Sequence, residues 1–395
     1  MKIGRQTGSI GGNMGRAMTR FGFLAWQPIL AGCASLADRL FNRTIIPPPY
    51  TPGPEAEQLH RSLFVVDLHA DTLLWNRDLL ERASHGHVDL PRLREGNVGL
   101  QVLGVVTGMP LFFKLDGNSD HPDVITGLIK LQDWPAETYS SRMARALYQG
   151  EKLKDRMRAS GGALKPITNQ RDLTELLEER AAGKPVIGVM LMLEGSHALE
   201  GDLANLDRLY AQGFRIIGLT HFFDNEMSGS AHGKKKGGLT PLGRQLVERA
   251  QTLGMVIDLS HASLPAIDDT LELSKQPVIV SHTGVRGTCD TVRNLSDRQL
   301  RDLAASGSII GIGLFKLATC GKTLEDTVKA MRYVADLIGV QHVAVGSDWD
   351  GSPAVIDASG LPLLTEAMLK ANFSPGEVAA IMGGNVLRVL RQTLP

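Results

Sequence analysis

Seven residues of this chain, His69, Asp71, Glu194, His221, His261, His282 and Asp348, combine side chains able to hold metal ions or move protons with a spacing that would bring them together. His69-Ala70-Asp71 is an HxD pair. In an extended strand residues i and i+2 point the same way, so this imidazole and carboxylate converge. Three histidines (His69, His261, His282) and two carboxylates (Asp71, Glu194) suit a borderline divalent ion, zinc above all. Five ligands exceed what one tetrahedral site needs. The count therefore predicts two Zn2+ ions sharing a bridging carboxylate, a pair able to activate a hydroxide and polarise the carbonyl it attacks.

The elements that must position these residues are short, apolar, β-branched runs. They fall at 63–68, 98–106, 186–193, 214–219, 255–259, 278–281, 309–313 and 342–346. Continuous apolar runs suit parallel strands buried on both faces. Amphipathic stretches lie between them, at 173–180, 203–212, 239–254, 264–274, 297–306 and 324–338. Ser296, with Gln299 three residues on, marks one helix start, and Asn169, Thr240 and Ser374 suit others. This alternation predicts an α/β fold, a (β/α)8 TIM barrel of the metal-dependent hydrolase type, rather than a doubly wound sheet. An N-terminal extension precedes it, and an insertion at 107–185, with a helix near 139–160, separates strands two and three. His69 and Asp71 follow strand one, Glu194 strand three, His221 strand four, His261 strand five, His282 strand six and Asp348 strand eight. All seven fall at the C-terminal strand ends, where barrel active sites form.

Lys plus Arg and Asp plus Glu number 42 each, so the net charge is zero and no basic surface recommends a nucleic acid. The three cysteines, Cys33, Cys289 and Cys320, are far apart and odd in number. Cys289 and Cys320 read as small buried packing residues, not as a disulfide framework. Residues 1–20 carry Lys2, Arg5, Arg16 and Arg20 without an acid, and 21–31 are mostly apolar. Leu30-Ala31-Gly32-Cys33 then has the form of a lipobox. Cleavage before Cys33 and its acylation would attach the protein to a membrane of the cell envelope; the other reading is an N-terminal arm on a cytoplasmic protein. The stretch 46–54, IPPPYTPGP, is a stiff linker. Residues 1–54 are thus assigned to the signal, anchor or arm plus linker, and 55–395 to the catalytic domain.

The motifs VVDLHADTLLW (65–75), MLEGSHAL (192–199), LTHFFDN (219–225), MVIDLSHAS (255–263), VIVSHTGVRG (278–287), VRNLSD (292–297), VGSDWDG (345–351) and GGNVLRVL (383–390) come in this order. In them the chain resembles the membrane (renal-type) dipeptidases, zinc peptidases of the amidohydrolase superfamily, over residues 60–393. The resemblance implies a dipeptide substrate and attack by a metal-bridging hydroxide. It implies that His69 and Asp71 hold one zinc, that Glu194 bridges, and that His261 and His282 hold the other. His221 matches the histidine at the substrate carbonyl or oxyanion, and Asp348 the aspartate that shuttles the proton. Arg293 and Asn294 match a substrate-binding pair in which the arginine meets the C-terminal carboxylate. A homodimer and tolerance of a C-terminal D-residue are implied in the same way. The animal members' disulfides and C-terminal lipid anchor are not expected here, because the cysteines give no framework and no apolar tail precedes Pro395.

Other residues carry lesser expectations. His197 reads as a support for the ligands or a buried histidine, and His85 and His87 as organisers of their loop. Asp67 reads as structural, and Asp350 as orienting Asp348 or a helix start. The Gly- and Lys-rich stretch 228–238 reads as a mobile loop over the site. Two competing functions keep the barrel: a dinuclear zinc amidohydrolase acting on another amide, a β-lactam or a lactone, and a non-enzymatic envelope binding protein.

Overall fold

The computed structural model describes Met1 and residues 34–395. The expected lipobox and Cys33 lie outside the described residues. Among the described residues no helix is long and apolar enough to cross a membrane.

Nine strands form one parallel sheet: β1 Val65–Ala70, β2 Val98–Val106, β3 Leu164–Pro166, β4 Ile187–Glu194, β5 Phe214–Gly218, β6 Val256–Asp258, β7 Ile279–Thr283, β8 Ile309–Ile312 and β9 Val343–Val345. Eight of them run β1-β2-β4-β5-β6-β7-β8-β9 around a nearly closed barrel, and β3 pairs β4 off this path. The eight expected runs are these eight strands. Their residues are buried throughout, as continuous apolar runs require. Val66, Leu100, Met190, Ile216, Ile279 and Ile309 pack in one core cluster with Val386 and Leu390 of the C-terminal helix Asn385–Thr393.

The two ends of the sheet meet through polar groups. Ala70 pairs Trp349 in an isolated parallel bridge, and the Asp71 amide donates to the Trp349 carbonyl at 2.7 Å. Beneath that bridge Asp67 accepts from the Ser347 amide at 2.8 Å and from the Ser347 hydroxyl at 2.9 Å. Gln101 of β2 donates to the same carboxylate. Burial pushes the Asp67 carboxyl up to about 6, against the pull of these donors. The expected structural role of Asp67 is therefore specific: it ties β1 to β2 and to the loop after β9, which carries Asp348.

Helices start where the expected caps stand. Ser296 and Gln299 form a reciprocal capping box before Asp297–Ala305, and Asn169, Thr240 and Ser374 each accept from a first-turn amide. The insertion between β2 and β4 carries Val124–Leu131, Arg142–Ala159 and Gln170–Ala181.

The reading of Cys289 and Cys320 as unpaired packing residues is overturned, because they form a disulfide. Each follows a neighbouring barrel strand, β7 and β8, so a separation of 31 residues in sequence closes to 5.4 Å between Cα atoms. Closing a loop of that length removes chain entropy from the unfolded state, worth about 3–4 kcal/mol.

Candidate active site

The C-terminal ends of β1, β4, β6 and β7 bring His69, Asp71, Glu194, His261 and His282 into one buried cluster. Glu194 is its centre. Its Oε1 lies 3.5 Å from His69 Nε2, 3.2 Å from His261 Nε2 and 3.4 Å from His282 Nε2. Its Oε2 lies 3.7 Å from His221 Nε2, and Asp71 Oδ1 is 3.1 Å from His69 Nε2. Donor atoms gather in three overlapping trios, each within 4.8 Å: His69, Glu194 and His282; Glu194, His221 and His261; His69, Asp71 and Asp348.

The donor set fits divalent cations. His261 Nε2 and His282 Nε2 are 2.9 Å apart, and burial holds both rings well below the usual histidine range. A neutral imidazole offers one ring-nitrogen lone pair, the form in which histidine binds a metal, and both Nε2 atoms are directed into the cluster. Burial also pulls His69 down, but the carboxylates of Glu194 and Asp71 override it and raise His69 well above its ordinary value. Burial would raise Glu194; His221, His69 and His261 instead hold it well below the carboxylate range. The cluster thus draws positive charge into itself.

A layer of hydrogen bonds behind the donors sets their orientation. Asp258, at the end of β6, accepts from the Ser281 amide at 2.7 Å and the Ser281 hydroxyl at 2.9 Å. With its proton on Asp258, that hydroxyl accepts from His282 Nδ1 at 2.9 Å, leaving the Nε2 lone pair facing the cluster. His221 Nδ1 donates to the Gly108 carbonyl at 3.1 Å, which turns Nε2 toward Glu194. His261 has φ 63° and Asp348 φ 61°, strained left-handed conformations for such residues.

Asp348 stands half-buried at the mouth. Desolvation pushes its carboxyl up to about 8; Asp71 and Glu194 add to the rise, while His69 and Arg293 oppose it. Arg293 is buried beside the cluster and donates to the His282 carbonyl. Asn294 uses its amide on backbone: it donates to the Cys289 and Ala318 carbonyls at 2.7 and 2.8 Å and accepts from the Gly284 amide at 3.1 Å. Together with the Cys289–Cys320 disulfide, this clasps the loop that carries Arg293.

His197 and His87 act as supports. His197 Nε2 lies 2.9 Å from the Thr107 hydroxyl, and His87 Nδ1 accepts from the Asp350 amide at 3.0 Å. Asp350 itself binds Arg77, Thr72 and the His87 amide, fixing the loop after β1 against the loop after β9. The stretch 228–238 is anchored at its base: Asp224 accepts from the amides of Ser230, Lys235 and Lys236 at 2.9, 2.7 and 3.1 Å.

A family model described as membrane dipeptidase (peptidase family M19) matches residues 54–394. The chain belongs to this family. Dipeptidase aclJ of Aspergillus oryzae is 29% identical over 357 residues, covering 85% of this chain and 79% of that one. Two solved structures, each 24% identical, share the fold over 84% of this chain and 99% of theirs. One is the dipeptidase AC, a metallopeptidase of the same family, with a TM-score of 0.71. The other is a metallopeptidase from Rhodobacter sphaeroides liganded with a phosphinate mimic of the dipeptide L-Ala-D-Ala, with a TM-score of 0.68. The protein is therefore a metallopeptidase that hydrolyses the peptide bond of dipeptides, and the binding-protein reading is set aside.

Gly104 was not singled out from sequence. It lies on β2 opposite the HxD pair, where a Cβ would meet Asp71 Oδ1 at 2.5 Å and the His69 ring at 2.8 Å. Both side chains need that space. Gly104→Ala should still unfold cooperatively, yet its divalent-metal content by elemental analysis should fall by at least one ion per chain. Wild-type metal content in that variant would refute the packing argument.

Proposed function

We propose that this dipeptidase uses two zinc ions and cleaves dipeptides bearing a free C-terminal carboxylate, including those with a D-residue on that side. The observation that carries the reading is the convergence of three imidazole nitrogens on one oxygen of Glu194, with a fourth near the other oxygen. His69 and Asp71 would hold one ion and His261 and His282 the other, with Glu194 shared. Zinc bound there would acidify a water molecule and polarise the scissile carbonyl.

The chain's own residues do the rest. Arg293, already fixed by its bond to the His282 carbonyl, receives the substrate's carboxylate in a charge-assisted pair. That anchor sets the peptide carbonyl over Glu194 and excludes substrates extended beyond the C-terminal residue. His221, when protonated at Nε2, donates to the oxyanion that develops there. Asp348, within 4.8 Å of the donor atoms of His69 and Asp71, takes the proton of the attacking water and returns it to the leaving amine nitrogen. Support for D-residues comes from the dipeptide mimic bound by the Rhodobacter relative.

The same proposal places the protein in the cell envelope. A Cys289–Cys320 disulfide persists in oxidising compartments, and the Leu30–Cys33 sequence supports membrane attachment through an acylated cysteine. Intact-mass analysis of natively expressed protein should show loss of residues 1–32 and a lipid on Cys33. An unmodified, full-length mass would end that part of the account.

The test of the reaction is a panel of L,L- and L,D-dipeptides and matching tripeptides, with zinc-loaded and chelated enzyme. Zinc-dependent release of amino acids from dipeptides alone is expected. Arg293→Ala should lose about a hundredfold or more in kcat/KM on dipeptides while leaving a carboxylate-free amide unaffected. Asp348→Asn should keep its zinc and lose about a hundredfold or more in kcat. Normal turnover by either variant would remove that residue from the mechanism.

A further inference from the structure

Beyond Arg293 a cavity of about 160 Å³ opens between the loops after β6 and β7. It borders the active site, with His261 and Arg293 both among its lining residues. Its walls are mixed: Ile267, Val280 and Leu295 give apolar surface, and Thr283, Asn294 and Gln299 polar groups. Its ionisable lining has one sign: Lys236, Arg286 and Arg293 are present with His261, and no carboxylate is among the lining residues.

The cations differ in how far they are already committed. Lys236 is paired with Asp116 at 2.6 Å. Arg293 is spoken for by the backbone and by the substrate's α-carboxylate. Arg286 spends its Nε on the Asn294 carbonyl at 3.2 Å. Its ionic neighbour is Asp290, 4.0 Å away, on a side chain that is 83% exposed. Among the described residues the outer nitrogens of Arg286, on a side chain 37% exposed, make no hydrogen bond or ion pair, so Arg286 is the least committed cation lining this cavity.

We propose that this cavity receives the side chain of the C-terminal residue and that Arg286 selects an acidic one, glutamate above all. The inference rests on the dipeptidase reading, with Arg293 holding the α-carboxylate. A glutamate side chain supplies methylenes for the apolar surface and a second carboxylate for the guanidinium. A neutral side chain of the same shape would fill the walls and leave Arg286 without its counter-charge. Discrimination then comes from one charge-assisted pair in a partly enclosed site.

The test compares Ala-Glu with Ala-Gln, a pair of equal shape, in both C-terminal configurations, using the zinc-loaded full-length enzyme. Wild type should favour Ala-Glu by about tenfold or more in kcat/KM in the better configuration. Arg286→Gln should abolish that preference by lowering Ala-Glu alone. Arg286→Lys, which keeps the charge but loses the Nε contact, should retain most of it. Equal rates on Ala-Glu and Ala-Gln in the wild type would overturn the inference and leave the dipeptidase reading intact. An equal loss on both substrates in Arg286→Gln would overturn it too, by showing a loop defect. Failure to cleave either by enzyme that turns over Ala-Ala would overturn the inference alone, whereas failure on Ala-Ala as well would overturn the dipeptidase reading with it.

Discussion

The carboxylate of Glu194 is buried among four imidazoles, and much of the architecture serves to keep it there. Removing such a charge from water is costly unless opposite charge and hydrogen bonds compensate. Here the compensation comes from four strands at once. His69 ends β1, His221 follows β5, His261 follows β6 and His282 lies on β7. A barrel delivers such convergence because all its parallel strands end on one face. The same face must also avoid collapsing onto itself, which explains the glycine at position 104 and the left-handed backbone at His261 and Asp348.

Around that centre the polar residues form a graded support. Asp258 fixes Ser281, Ser281 fixes His282, and the His282 carbonyl fixes Arg293. A proposed metal ligand and the proposed substrate anchor therefore share one line of hydrogen bonds. Asn294 and the Cys289–Cys320 disulfide hold the same loop from its other side. Asp67 and Asp350 do comparable work at the β1–β9 seam, placing Asp348 against the HxD pair.

Much of this was legible in the sequence because the relevant signals are local. Runs such as VVDLHA and VGLQVLGVV announce buried parallel strands, and a histidine or acid directly after each run announces the active face. The Ser296 and Gln299 pair announces a helix start for the same reason. What was not legible depends on distant partners. β3 has three residues, one of them Pro166, too few for a periodic pattern. The two cysteines lie 31 residues apart at a spacing that signals no pairing, and only the adjacency of β7 and β8 makes them neighbours. Gly104 looks like any strand glycine until Asp71 is set beside it. The stretch 228–238 looks loose because its anchor, Asp224, lies outside it.

The central claim is that Glu194 is the shared ligand on which both metal sites depend. Zinc stoichiometry of Glu194→Gln, measured by elemental analysis and calorimetric titration on protein whose folding is checked by circular dichroism, tests it most directly. The account predicts a folded barrel that falls from two tightly bound zinc ions per chain to one at most. A folded variant that still binds two with wild-type affinity would contradict it.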